Sequence, residues 1–225
     1  MDQEKSLRAP LGTRLIVAMI LGATAIAAVG FTAGFFAAPV TATPASTSAE
    51  AGFSRDMQTH HIQAVEMSMI LLDRTDDPEL RRLAEDIATA QQQQAGQMYA
   101  WLSVWGVPQA APEPSMTWMT RPTLEGATHD HSGAPGEPAH LPGEPMPGLA
   151  TAAQIAELKS LTGVPAERLY LELMIAHHIG GVEMAQAVLD RSTNPAVTSL
   201  ARGMVTVQQG EIDYMNDLLA ERTGA

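Results

Sequence analysis

Two pairs of adjacent histidines, each flanked by methionines at helical spacing, are the side chains of this sequence best suited to bind a metal ion. The pairs and their flanking residues are Met57, His60, His61 and Met67, and Met174, His177, His178 and Met184. Imidazole nitrogen and thioether sulfur together suit copper, because thioether favours Cu(I) and imidazole accepts either oxidation state, whereas calcium and magnesium require oxygen. The chain has no cysteine, so no thiolate can contribute. The pattern predicts a soft-metal site.

These residue types also have a purely structural interpretation. Methionine commonly fills gaps in helical cores, and a buried neutral histidine can be satisfied by a hydrogen bond across a bundle. A structural or interaction module, in which the histidines fix the packing register and no metal is bound, is therefore the alternative hypothesis. The duplication of both histidines together with their methionines gives the metal hypothesis comparable weight.

Both motifs belong to an internal repeat with an offset of 117 residues, the separation of His60 from His177. The same shift aligns Met98 with Met215 and continues without a gap from Met57 onward over more than forty positions. Such a match indicates a duplicated unit.

Each unit contains two predicted helices. In the first unit, apolar residues recur at steps of three and four, which predicts a helix over about 53–74, and Asp77-Pro78 opens a second helix that runs to about Trp105. The second unit repeats this pattern over about 165–191 and 195–221. Four such helices predict an all-α fold, an antiparallel four-helix bundle built from two helical hairpins.

Helical geometry also predicts which side chains point inward. Met57 and Met67 fall within about 60° of His60 on a helix, and His61 lies at the edge of the same stripe. Glu66 and its equivalent Glu183 project to roughly the opposite side and are predicted to be surface residues.

Residues 107–150 form a connection rich in proline and glycine between the first hairpin, 53–106, and the second half, 151–225. We predict that it is mostly irregular and is followed by a short helix from Thr151 to about Leu161, where Thr151 and Gln154 have capping-box spacing. The connection carries a group of potential ligands, namely Met116, Met119, His129, His131, His140 and Met146. Its histidines either capture metal from solution or are incidental residues of an exposed loop.

The N-terminal segment predicts export of the chain. Residues 15–38 contain no charge and are long enough to cross a hydrocarbon core of ~30 Å as a transmembrane helix. Positive residues within 1–14 predict a cytoplasmic N-terminus, a single-pass anchor in a bacterial cytoplasmic membrane and a body outside the cytoplasm, joined by a linker over 39–52. The alternative is a secreted protein whose signal peptide is cleaved among the small residues of 38–45.

Charge and missing motifs exclude several functions. A net charge of −12 without a basic stripe argues against a nucleic-acid partner. The Glu-x-x-His motifs of di-iron bundle enzymes do not occur, nor do a Gly-x-Ser-x-Gly elbow or a phosphate-binding Gly-rich loop. The chain is therefore predicted not to be an enzyme.

The motif Met-x-x-His-His-x-x-x-Val-x-Met, followed by Gln-x-x-Glu-Ile-x-x-Met on the next helix, resembles the family called domain of unknown function 305. The first copy departs from it, with Gln94 and Ala95 where the second has Glu211 and Ile212. The resemblance, over about 53–222, implies a ferritin-like bundle in an exported or membrane-anchored bacterial protein, with some relatives binding copper. The metal ligands that it implies here are His60, His61, Met57, Met67, Met98, His177, His178, Met174, Met184 and Met215.

Overall fold

The computed structural model describes residues 43–126 and 141–223. Within those ranges the regular structure is helical throughout, as predicted, and contains no strand. The helices are α1 (Ala49–Leu72), α2 (Pro78–Val104), α3 (Ala152–Ser160), α4 (Val164–Leu189) and α5 (Pro195–Thr223), with one 3-10 turn at Thr117–Thr120.

Helix α1 begins four residues before the predicted start at Phe53, so residues 49–52 of the predicted linker are helical. The Ser48 side chain caps α1 by accepting a hydrogen bond from the backbone N–H of Ala51 at 3.2 Å. The 3-10 turn covers this first turn so closely that a Cβ at Gly52 would lie 2.5 Å from Cβ of Trp118. Helix α1 therefore begins earlier than predicted because the Ser48 cap and the contact with Trp118 stabilise its first turn.

The other helix starts follow side-chain caps. The carboxylate of Asp77 accepts hydrogen bonds from the backbone N–H groups of Glu79 and Leu80 at 2.9 and 3.0 Å, with proline at the first helical position. Thr151 and Gln154 form the predicted capping box at the start of α3. Asn194 caps α5 by accepting from the N–H of Ala196 at 3.1 Å. Local sequence thus defines where the helices begin.

Polar contacts show that neighbouring helices run antiparallel. Ser68, near the end of α1, contacts the Tyr170 hydroxyl near the start of α4 at 3.1 Å, and Ser192 beyond the end of α4 donates to Glu50 at the start of α1 at 2.7 Å. Arg222 at the end of α5 contacts Asp77 before α2 at 2.9 Å. With a short turn inside each hairpin, these contacts give a four-helix bundle in which α1 packs on α4.

The described part of the connection is held against the bundle by charged side chains of α1. The Asp56 carboxylate accepts hydrogen bonds from the Met116 backbone N–H at 2.7 Å and the Trp118 indole N–H at 2.9 Å. Arg55 donates to the Pro108 carbonyl at 2.6 Å, and the Trp118 ring meets Phe53 edge-on with centroids 5.8 Å apart. Although this part of the connection has little regular structure, it contributes Met116, Trp118 and Met119 to the core.

Among the described helices, none has the length and apolar composition needed to cross a bilayer. The predicted anchor 15–38 and the predicted cytoplasmic segment 1–14 lie outside the described residues, as do His129, His131 and His140.

Candidate metal centre

All ten residues singled out as potential ligands lie in the interior of the bundle. The four histidines and the six methionines are 0 % exposed. Glu66 is exposed and pairs with Lys159 at 2.7 Å, as its predicted surface position requires, whereas Glu183 is half-buried.

The centre of the bundle is a stack of two imidazole rings, one from each repeat. Antiparallel packing of α1 on α4 places His60 against His177 with ring centroids 3.7 Å apart and planes tilted by 32°. Nε2 of His60 lies 3.0 Å from the Pro147 carbonyl oxygen, and Nε2 of His177 lies 2.8 Å from the His60 carbonyl oxygen. Each Nε2 therefore donates to a carbonyl, which leaves the Nδ1 of each neutral ring as a lone-pair donor.

Burial keeps this stack uncharged. Removal from water lowers the pKa of His60 to about 4, and burial with the neighbouring His60 ring lowers the pKa of His177 well below its usual value. Two neutral rings can lie face to face, whereas two imidazolium ions would repel. The lone pairs stay free of protons at neutral pH.

The outer histidines contact the second helix of their own hairpin at equivalent repeat positions. Nε2 of His61 lies 2.7 Å from Oε1 of Gln94, and Nε2 of His178 lies 2.8 Å from Oε2 of Glu211. Burial lowers the pKa of His61 to about 3. Both nitrogens of His178 face oxygens, because its Nδ1 lies 2.9 Å from the Met174 carbonyl.

Three imidazole lone pairs in this core have no hydrogen-bond partner. They belong to Nδ1 of His60, His61 and His177, all fully buried. A buried polar atom without a partner costs about 1–3 kcal/mol, and neutral imidazole nitrogen is a common metal ligand. Within the described ranges, no group of three or more His, Asp or Glu side chains could hold a metal ion. A metal bound here would therefore need thioether ligands as well.

The six predicted methionines separate into two groups of three. One group, Met67, Met174 and Met215, packs in a core cluster with Tyr170, which we call the Tyr170 cluster. The other group, Met57, Met98 and Met184, packs in a core cluster with Trp118, which we call the Trp118 cluster.

Methionines related by the 117-residue offset lie in different clusters. Each cluster therefore contains methionines from both copies. Along α1, Met57 lies about one turn before His60 and Met67 about two turns after it, so the clusters flank the histidine stack.

Sequence reasoning missed the backbone partner of the stack, the Pro147 carbonyl. The segment around it lies directly on α4, because a Cβ at Gly180 would come within 2.1 Å of that oxygen. Gly148 adopts φ +72°, and a Cβ there would lie 2.1 Å from the Ala176 carbonyl oxygen. Gln63 secures the segment with two hydrogen bonds to the backbone of Ala150, at 2.7 and 2.8 Å. The sequence signal for this close approach was a pair of glycines, Gly148 in the segment and Gly180 in α4.

An open groove runs between α2 and α5 next to His61. It is lined by Gln94, Gln97, Trp101, Ala196, Ser199, Leu200, Gly203 and Val207. Gln94 connects the groove to the interior, since the same side chain contacts His61.

At the opposite end of these helices, Arg222 pairs with Asp77 and Glu167, each at 2.9 Å, and Tyr214 donates to Glu79 at 2.6 Å. These contacts bridge the helices at that end.

Comparison with known proteins agrees with the fold and the motif. The family model Domain of unknown function (DUF305) matches residues 50–219. A solved DUF305 protein of Streptomyces coelicolor, described as secreted, is 47% identical, with 80% of this chain and 96% of that chain covered and a TM-score of 0.67. CopM in its Cu(I)-bound form is 20% identical, with 77% and 96% covered and a TM-score of 0.55, which shows a shared fold.

A curated viral relative, uncharacterized protein L153 of Acanthamoeba polyphaga mimivirus, is 36% identical over 56 residues, or 25% of this chain. This chain thus spans little more than a third of that protein, 37% of its length. The family match is far longer and includes both hairpins and both histidine pairs. The chain therefore belongs to the DUF305 family.

Proposed function

We propose that this protein binds copper outside the cytoplasm, to sequester it or pass it on, through the buried histidines and methionines of the bundle. The observation that carries this proposal is the set of three buried imidazole lone pairs without a partner, flanked by two groups of buried methionines. No catalytic step is part of the proposed function.

The donor chemistry fits copper better than other common metals. Neutral Nδ1 atoms of His60, His61 and His177 would supply imidazole ligands, and the flanking thioethers would favour the Cu(I) state. Because burial lowers the pKa of these rings, copper would not have to displace a proton from them at neutral pH. CopM, which shares the fold, has been solved with Cu(I), with Cu(II) and with silver.

The groove between α2 and α5 offers a route from the surface to these ligands. It is open to solvent at Gly203 and reaches inward to Gln94, whose amide oxygen contacts His61. Movement of a single glutamine side chain would expose an imidazole to an incoming ion. We therefore assign uptake to this groove.

The cellular position follows from the N-terminal segment and the relatives. We propose that residues 15–38 anchor the body to the outer face of the cytoplasmic membrane, with release by signal cleavage as the alternative. The secreted DUF305 relative supports a position outside the cytoplasm in either case. Mass spectrometry of the protein purified from membranes distinguishes an anchored chain from a cleaved one, because the anchored chain keeps its first 38 residues.

A structural bundle without metal is the competing function, and one observation favours it. The Nε2 atoms of His60, His61, His177 and His178 all face a protein oxygen within 3.0 Å, so the histidines also act as polar cross-links. A ligand that binds only the folded state raises its unfolding midpoint. An unchanged midpoint in the presence of Cu(I) and Cu(II) would support this function.

Titration of the purified full-length protein with Cu(I) and Cu(II) tests copper binding directly. We expect stoichiometric uptake of both ions. Replacement of His60, His61, His177 and His178 by Ala should abolish Cu(II) uptake and reduce Cu(I) uptake. Replacement of the exposed Met69 by Leu is the control and should leave uptake unchanged. Circular dichroism verifies that both variants are folded, and unchanged uptake by a folded histidine variant would refute the proposal.

A further inference from the structure

We propose that the Trp118 cluster forms a separate, all-thioether site for a monovalent soft cation. The site adds three methionines that the repeated motif does not contain, Met116 and Met119 from the connection and Met204 from α5. With Met57, Met98 and Met184 they form a group of six buried methionines at one end of the bundle. This site deepens the proposed copper function and rests on it, because copper must reach the interior for the site to fill.

The composition of the two core clusters differs in a way that gap filling does not explain. Among the buried members of the Tyr170 cluster, three methionines accompany nine leucines and isoleucines. The buried members of the Trp118 cluster include six methionines and no leucine or isoleucine. If methionine served only as flexible filler, both ends of a duplicated bundle should contain similar mixtures. Methionine has been concentrated at one end.

Position 204 shows this asymmetry within the repeat itself. Its equivalent in the first copy is Ile87, a buried member of the Tyr170 cluster. An aliphatic side chain therefore fits the core at this repeat position, and a thioether occupies it only at the end where Met116 and Met119 also lie. The three additional methionines come from two distant parts of the chain and converge on one cluster.

The backbone around Met116 and Met119 is held in place by charged side chains. The carboxylate of Asp56, only 6% exposed, accepts from the Met116 N–H at 2.7 Å, and Arg191 donates to the Met119 carbonyl at 2.6 Å. Met116 has φ +66° and is the only non-glycine residue with positive φ in the described ranges. Such a conformation is strained for a residue that has a side chain, and it tends to persist where function requires it.

Charge balance favours a monovalent ion. Six thioethers are neutral and cannot offset a buried positive charge, but the Asp56 carboxylate is adjacent in sequence to Met57 and bonded to the backbone of Met116. Burying one unit of charge among neutral ligands costs less than burying two, and thioether ligands select Cu(I) over harder divalent ions. The site therefore suits Cu(I) or Ag(I).

Silver titration of the full-length protein tests the site. The variant carries Met116→Leu, Met119→Leu and Met204→Leu, substitutions that keep core volume and should preserve the fold. We expect it to lose one equivalent of bound Ag(I), or to bind that equivalent at least about tenfold more weakly, with Cu(II) binding unchanged. Met69→Leu is the matched exposed control.

Three outcomes separate this site from the histidine centre. Loss of one Ag(I) equivalent in the triple variant, with the remaining equivalents retained, supports the site. Unchanged Ag(I) stoichiometry and affinity, while the four-histidine variant loses copper, overturns the site and leaves the proposed function intact. Failure of the wild-type protein to bind either metal overturns both.

X-ray absorption provides an independent readout on the four-histidine variant. Loaded with Cu(I), that variant should retain an ion with sulfur ligands only. Absence of a bound ion, or a shell of nitrogen or oxygen, would contradict an all-thioether site.

Discussion

The properties of single histidines decide what this core can bind. His60, His61 and His177 are buried as neutral rings, each with one nitrogen bonded to a protein oxygen and the other without a partner. The lowered pKa values follow from removal of the rings from water, since a charged ring would lose its hydration. The same burial that keeps the lone pairs available also makes the fold sensitive to acid.

Stability should therefore fall as pH decreases below the unfolded-state pKa of histidine. In the unfolded chain each histidine takes up a proton near pH 6.5, whereas His61 in the folded chain takes one up only near its pKa of about 3. The unfolded state then binds more protons between these values, and each such ring costs about 1 kcal/mol of unfolding free energy between pH 7 and 5.5.

Urea unfolding of the wild type and His61→Gln at several pH values measures this loss. The glutamine variant should lose less stability on acidification than the wild type. Equal pH dependence in the two proteins would mean that His61 is not buried as a neutral ring.

The contact of His178 with Glu211 should contribute to the stability of the fold. Replacement of Glu211 by Ala leaves a buried imidazole nitrogen without its acceptor, and we expect a loss of about 1–3 kcal/mol in unfolding free energy. Glu211→Gln reproduces the His61–Gln94 contact of the first repeat and should recover most of that loss. Equal stability of the two variants in thermal melts would show that the contact contributes little.

For the helices, local sequence predicted their positions along the chain better than it predicted their tertiary contacts. Apolar spacing and the caps at Asp77 and Thr151 indicated the helices and their approximate ends. The start of α1 was predicted too late, because the Ala- and Ser-rich stretch before Phe53 becomes helical under the cover of Trp118, from a distant part of the chain.

The separation of the methionines into two clusters could not be predicted from local sequence patterns either. Periodicity predicts which face of a helix is buried, whereas the crossing of α1 on α4 determines which methionines meet. The carbonyl that binds His60 comes from an irregular segment, for which periodicity predicts nothing.

Contact between the Pro147 segment and α4 can be tested with two helical glycines. A Cβ at Gly180 would meet the Pro147 carbonyl oxygen at 2.1 Å, whereas a Cβ at Gly210 has nothing within 4 Å. We expect Gly180→Ala to lower the unfolding free energy and weaken copper binding at His60. Gly210→Ala should raise stability by up to about 1 kcal/mol through helix propensity alone. A stabilising effect at both positions would contradict the close approach.

At the scale of the whole molecule, the bundle is a duplicated scaffold whose two ends have diverged. The Arg222–Asp77 ion pair and the Tyr214–Glu79 contact bridge α2 and α5 at one end, and a groove stays open between the same helices at the other. The additional methionines lie at the end of the bundle nearer this groove, where Trp101 and Leu200 line it and also pack on the Trp118 cluster. Under the proposed copper function, the groove would be a route for metal and the additional methionines would be ligands beside it.

Filling the groove should slow metal uptake without changing the ligands. Gly203 lines the groove, and a Cβ at this position would meet nothing within 4 Å, so Gly203→Phe can place a ring there. Gly210→Phe on the same helix has similar free space outside the groove and serves as the control. Stopped-flow mixing with Cu(I) should show slower uptake for Gly203→Phe alone, and equal rates in the two variants would exclude this route.

We propose that buried imidazole and thioether groups of both repeats bind copper inside the bundle. Anomalous diffraction at the copper edge from crystals of the Cu(I)-loaded protein tests it most directly. We predict an anomalous peak within bonding distance of Nδ1 of His60, His61 or His177 together with a methionine sulfur. Copper found only on the protein surface, or a bundle that excludes it, would contradict the claim.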